Sequence, residues 1–151
     1  MYKRILVPVD GSPTSNRGLD EAIALGKLTG ARLRLIHVVD ELSFAISFDV
    51  LGSYAGDVLS LLRENGEAIL AKARSQVDAA GIGVDSELRE SFGGRVSDFI
   101  VAEAADWPAD LIVMGTHGRR GMRHLTLGSD AERVVRTAAV PVLLVREAGG
   151  A

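Results

Sequence analysis

Short runs of β-branched residues and leucine alternate along this chain with longer segments of helical period. That alternation is the pattern of βαβ units feeding a parallel sheet covered on both faces. The runs at 5–9, 32–39, 84–90, 110–114 and 142–145 read as strands. The expected fold is therefore α/β, a single open, mostly parallel five-stranded sheet with helices on both faces. With 151 residues, the chain is long enough to bury a core without disulfides or a structural metal. One domain over 1–147 is expected, and Gly149, Gly150 and Ala151 fall in a frayed tail, 148–151.

Local signals place the helices. Ser12 is an N-cap candidate and Pro13 suits the first helical position, while Leu19, Ala22 and Ile23 supply an apolar face. Gly30 is placed to end that helix in a left-handed cap. Residues 40–56 are irregular, with Phe44, Ile46, Phe48, Val50, Leu51 and Tyr54 among polar and glycine positions. They read as an apolar flap, or alternatively as a short extra helix. Val58, Leu61, Leu62, Ile69, Ala73, Val77 and Ala80 then step along a long helix that tolerates Gly66 and stops at Gly81 and Gly83. In the following strand Val84, Ser86 and Leu88 face one way and Asp85, Glu87 and Arg89 the other, which predicts a half-exposed strand at a sheet edge. A helix carrying Val96, Ile100 and Ala104 leads to the continuous apolar strand at 110–114, expected near the centre. A helix over 130–138 leads through Pro141 to the last strand.

Composition removes several classes of function. Lysine plus arginine number 17 against 20 acidic residues, so no bulk positive field attracts nucleic acid or anionic lipid. Without cysteine there is no disulfide framework, thiolate zinc site or cysteine nucleophile. The apolar run after Lys3 and Arg4 stops at Asp10, too short for a signal peptide, and no stretch approaches the roughly 20 apolar residues that span a bilayer. A cytoplasmic protein without membrane contact is expected.

In open parallel sheets ligands bind beyond the carboxyl ends of the strands, where the winding reverses. The residues to examine are Asp10, the stretch from Val38 to Asp40, and the run from Gly115 to Ser129. Glycines at 115, 118, 121 and 128 let backbone N–H groups approach a guest and permit positive φ. Ser129 opens a helix, whose N-terminus offers unpaired donors and a positive dipole end. Arg119, Arg120, Arg123 and His124 add local cations to an acidic protein. Flexible donors, a helix start and cations together suit a polyphosphate. Ser129 either bonds a phosphate or caps its helix in a box with Glu132, and Asp10 either meets a ligand or bonds its own turn. His117 either touches phosphate or lies in solvent, and His37 reads as a structural histidine, because nothing at ligand spacing accompanies it. No catalytic residue and no metal-only site is assigned. A P-loop would need Lys-Ser/Thr after its last glycine, and the dinucleotide fingerprint belongs at the first turn, where only Asp10-Gly11-Ser12 stands.

The spacing Gly115-x2-Gly118-x9-Gly128-Ser129 after Leu-Ile-Val-Met resembles the ATP-binding universal stress proteins. The stretches from Ile5 to Ser12, Ile36 to Val38 and Val140 to Val145 are similar to that family's first, second and last strands. The resemblance implies a Rossmann-like nucleotide-binding domain. Pro8, Val9 and Asp10 would contact adenine and ribose, Val38 would pair with adenine through its backbone, and Met114 and Gly115 would border the ribose. Gly118, Gly128 and Ser129 would hold the phosphates, beside His117 and Arg119. Mg²⁺ or Mn²⁺ would be held mainly by the phosphates, and Asp130 would either repel these or help hold the cation. Family members dimerise through the last strand, here Val142 to Val145. The implied function is a nucleotide-dependent regulatory module in the stress response, with an unidentified protein partner. A weak ATP hydrolase and a nucleotide-free dimeric interaction protein are the alternatives.

Overall fold

The computed structural model describes residues 1–40, 55–91, 93–117 and 127–147. The chain runs β1 (Arg4–Pro8), α1 (Pro13–Thr29), β2 (Arg32–Val39), α2 (Ala55–Ala79), β3 (Val84–Glu90), α3 (Val96–Asp106), β4 (Leu111–Gly115), α4 (Ser129–Thr137) and β5 (Val142–Val145). All pairings are parallel, in the order β3-β2-β1-β4-β5, which puts β1 at the centre, β4 beside it and β3 at an edge as its alternation predicts.

The sheet separates two apolar layers. Ile5, Val7, Leu33, Leu35, Leu111 and Val113 meet Leu19 and Ala22 of α1 and Leu70, Ala73 and Val77 of α2 on one face. Leu6, Ile36, Ile112 and Met114 meet Ile100 and Ala104 of α3 and Ala131 and Val134 of α4 on the other. Successive residues of a strand point to opposite faces, so a continuous apolar run is what a strand covered on both sides requires. The connections β1-α1-β2-α2-β3 build the sheet one way and α3-β4-α4-β5 the other, so the winding reverses between β1 and β4.

Local chemistry sets the ends. Ser12 caps α1, its hydroxyl accepting from Ser15 N with Pro13 in the first turn, and Gly30 ends the helix at φ 74°. The long helix α2 begins at Ala55, inside the stretch read as a flap; the remainder of that expectation, 41–54, lies outside the described residues, as does the 148–151 tail. The charged face of β3 is not simply turned to water. Arg34 of β2 meets Asp85 at 2.5 Å and Glu103 of α3 at 2.8 Å, and Arg89 of β3 meets Glu103 at 2.6 Å. Glu103 is only 2% exposed, and Arg34 also lies 4.9 Å over the Trp107 ring. Burial works to lower the Arg34 pKa, but hydrogen bonds and charge from Asp85 and Glu103 outweigh it and raise the value. No helix of the described residues is long and apolar enough to cross a membrane.

Candidate functional site

At the reversal point lies a cleft of about 640 Å³. It is lined by Pro8, Val9 and Asp10 at the end of β1, His37 to Asp40 at the end of β2, Met114, Gly115 and His117 at the end of β4, and the 128–132 turn of α4. Ten of the twelve residues expected at a ligand therefore line one cavity: Pro8, Val9, Asp10, Val38, Met114, Gly115, His117, Gly128, Ser129 and Asp130. Gly118 and Arg119, with Arg120, Gly121, Arg123 and His124, lie outside the described residues.

Backbone alternation decides what the β2 side offers. The β1–β2 pairing ends at Pro8 opposite Ile36, and its last rung is Val9 N–H to the Ile36 carbonyl at 2.8 Å. In a parallel ladder a residue's N–H and C=O point to the same neighbour, and every second residue points the same way. Val38 therefore aims its N–H and C=O towards β1, at the height where β1 has ended, into the cleft. His37 is buried, and its Nδ1 meets the Val9 carbonyl at 2.7 Å. A carbonyl only accepts, so Nδ1 carries the proton.

The β1 exit is a tight turn. Asp10 Oδ1 accepts from Ser12 N at 2.8 Å, and Asp10 N donates to Ser15 Oγ at 3.0 Å. The carboxylate thus bonds its own turn and lines the cleft as well.

The two ends of the glycine run are stitched together. Gly128 N donates to the Thr116 carbonyl at 2.7 Å, Thr116 N to the Val145 carbonyl at 3.0 Å, and Thr14 Oγ1 to the His117 carbonyl. Two expectations are corrected here. Ser129 is not a cap: Gly128 takes the N-cap position without a side-chain bond, Ser129 is the first helical residue, and Glu132 pairs with Arg136 at 2.8 Å instead of closing a capping box. Gly115 and Gly128 do not hold positive φ, which among the described glycines occurs at Gly11, Gly30, Gly81 and Gly93. Close packing is what these two need: a Cβ on Gly115 would lie 2.7 Å from the Thr14 carbonyl carbon, and one on Gly128 would lie 3.0 Å from His117 Cα.

The first helical bond of α4 runs from Glu132 N to the Gly128 carbonyl at 3.0 Å. The N–H groups of Ser129, Asp130 and Ala131 precede it and have no acceptor within the helix. They form a donor-rich turn on the cleft wall, at the positive end of the helix dipole.

Sequence reasoning missed part of the lining. Leu62 and Asn65 of α2, Val96 and Ile100 of α3, and Leu127 all face the cleft. Leu62, Val96 and Ile100 were indistinguishable from core, because apolar cleft walls and core stripes share one spacing. Asp10, Asp40, Asp130 and Glu132 bring four carboxylates to the lining.

Known proteins agree with this architecture. The chain is 37% identical over 148 residues to universal stress protein MJ0531 of Methanocaldococcus jannaschii, covering 97% of this chain and 84% of that one. The solved structure of protein MJ0577, from the same organism, superposes with a TM-score of 0.84 at 27% identity, covering 99% of both chains. A universal stress protein solved in complex with cAMP superposes with a TM-score of 0.68 at 25% identity, covering 97% of this chain and 98% of that one. With the model of the universal stress protein family matching residues 1–146, the chain belongs to that family.

Proposed function

We propose that this protein binds an adenine nucleotide, ATP by preference, in the cleft between β1 and β4, and acts as a nucleotide-dependent regulatory module of the stress response. The observation that carries this reading is the meeting, in one cleft, of the outward-facing Val38 backbone with the first turn of α4, whose N-cap Gly128 makes no side-chain bond. Val38 belongs to β2 and α4 follows β4, the strands on either side of β1, which leaves one for the base and the other for the phosphate chain. The cAMP complex of a relative adds weight to an adenine nucleotide.

In this reading the N–H and C=O of Val38 pair with adenine, and Pro8 and Val9 border the base. Asp10, Met114 and Gly115 border the ribose. Gly128, Ser129 and the 118–119 segment hold phosphates, with His117 beside them. Among the described residues no group of three histidine or carboxylate side chains has the placement to hold a metal ion by itself. In the same reading a divalent cation, Mg²⁺ or Mn²⁺, is held mainly by the phosphates, with Asp130 at the first turn of α4 as a candidate protein ligand. The cation would offset the charge between the phosphates and the four carboxylates of the lining. Residues 1–147 act as one domain, in the cytoplasm, as a homodimer through β5 that presents a nucleotide-sensitive surface to a protein partner.

The test is to identify nucleotide carried through purification, then to titrate ATP, ADP, AMP and cyclic AMP calorimetrically into wild type and Ser129→Ala. ATP should bind wild type, and Ser129→Ala should weaken ATP more than AMP. No co-purified nucleotide and no heat with millimolar ATP would sink the reading. Linear phosphate release that vanishes in a folded Ser129→Ala would instead identify an ATP hydrolase.

A further inference from the structure

The nucleotide reading leaves one buried side chain of the cleft without a task. His37 lies on β2 immediately before Val38, is 7% exposed and donates Nδ1–H to the Val9 carbonyl. That carbonyl is the acceptor the next rung of the β1–β2 ladder would use. The rungs run from Arg32 N to the Lys3 carbonyl up to Val9 N to the Ile36 carbonyl, and the one after them would join Val38 N–H to Val9 C=O. Among the described residues no backbone bond continues the ladder past Val9 N.

We infer that His37 is a positioning residue that sets the base preference of the cleft: by occupying the Val9 carbonyl it keeps the Val38 N–H from closing the ladder and holds it out for adenine. The inference rests on the nucleotide reading of the cleft. Adenine offers a ring-nitrogen acceptor beside an amino donor, the complement of the Val38 N–H and C=O. Guanine offers a ring N–H beside a carbonyl oxygen, so both contacts would set like against like. A site built to hydrogen-bond one edge rejects the other strongly, because its own groups are left unpaired.

The imidazole is held from above by a second feature. Gly66 stands in the middle of α2, where glycine weakens a helix relative to alanine. A Cβ there would lie 2.7 Å from His37 Cδ2 and 3.1 Å from Nε2. The missing methyl leaves space that the ring shares with Leu88 Cδ1, which would lie 2.8 Å from that Cβ.

Four proteins test this: wild type, His37→Leu, His37→Asn and Gly66→Ala. In each, ATP and GTP affinities are measured by calorimetry, and exchange of the Val38 amide is followed by NMR without nucleotide. Wild type should prefer ATP, with a fast-exchanging Val38 amide. His37→Leu frees the Val9 carbonyl, so the ATP-to-GTP affinity ratio should fall about tenfold, the worth of one hydrogen bond, and the Val38 amide should become protected. His37→Asn keeps a donor near the position of Nδ1 and should retain the wild-type ratio. If His37→Leu does not fold, Gly66→Ala carries the same prediction, since alanine favours the helix while displacing the ring. An unchanged ratio in the folded variant that loses the ring's bond overturns the inference, as does a Val38 amide in nucleotide-free wild type as protected as that of Ile36. If wild type binds neither nucleotide, the function proposed for the cleft fails, and the exchange comparison still decides whether His37 holds Val38 open.

Discussion

Gly115 shows how one residue can be found by sequence for one reason and needed by the structure for another. Its place in a glycine-spaced run marked it as a phosphate-loop residue, yet its missing Cβ is what lets the start of α1 pack against the end of β4. Thr14 backbone atoms stand 2.7 and 2.8 Å from where that Cβ would be, and backbone cannot step aside as a side chain can. Gly115→Ala should destabilise the protein by about 2 kcal/mol, read as a lower urea midpoint at unchanged m-value. Glu103 is the converse, an acidic residue of α3 to which the sequence pattern assigned no part. It is buried between Arg34 and Arg89, and Glu103→Ala should cost about 3 kcal/mol or more in the same assay by leaving Arg34 partly desolvated beside a lost partner. Alternation on β3 showed its charges sharing one face, but not that α3 would supply the carboxylate between them, since that depends on how α3 crosses the sheet. At the end of β3, the hydrogen bond from Arg63 lowers the Glu90 pKa below its ordinary value, against a smaller upward effect of burial. A depressed carboxylate pKa stabilises the fold fully above the unfolded value, and that contribution disappears as pH falls through the folded value. Glu90→Gln should therefore lose less stability than wild type on acidification from about pH 5 to 3, followed by thermal melts.

Elements were legible wherever a local signal ends them. The bounds of β2, β3 and β5 agree with the sequence reading because glycines, prolines or charged residues punctuate both sides. The two serine-led helices diverge. Ser12 and Ser129 sit in similar contexts, yet Ser12 caps α1 while Ser129 lies inside α4, because Gly128 is drawn back to the Thr116 carbonyl and takes the cap position itself. That displacement depends on a contact twelve residues away, which no capping pattern encodes. Ser12→Ala should lower stability by about 1 kcal/mol, whereas Ser129→Ala should stay within about 0.5 kcal/mol of wild type. Paired denaturation curves decide this, and equal losses in the two variants would mean that Ser129 caps α4 after all. The same comparison matters for the cleft, because a hydroxyl not needed by its helix is available to a phosphate.

At the scale of the molecule, the reversal of winding between β1 and β4 follows from the strand order, and it is what gathers Asp10, Val38 and Gly128 into one cleft from distant parts of the sequence. The alternation of strands and helices gives the class of fold, but several strand orders satisfy it; the residue pattern narrowed them only by putting β3 at an edge and β4 near the centre. The sheet order also leaves β5 with a strand neighbour on one side only. Its residues are half-buried or exposed, with Leu143 at 36% and Val135 of the adjoining α4 at 47% exposure. An edge of this kind pairs readily with another strand, and neither charge nor proline interrupts the Val142–Val145 run to prevent it. If the proposed homodimer forms there, Leu143→Glu places a carboxylate in the apolar interface, facing its symmetry-related copy or the partner's apolar side chains. Sedimentation equilibrium should then show wild type as a dimer and Leu143→Glu shifted to monomer. Leu28→Glu, at an 82% exposed position on α1, should remain dimeric and controls for added charge. A dimer that survives Leu143→Glu unchanged would move the interface off β5, while ATP binding that persists in the monomeric variant would show that each cleft is complete within its own chain.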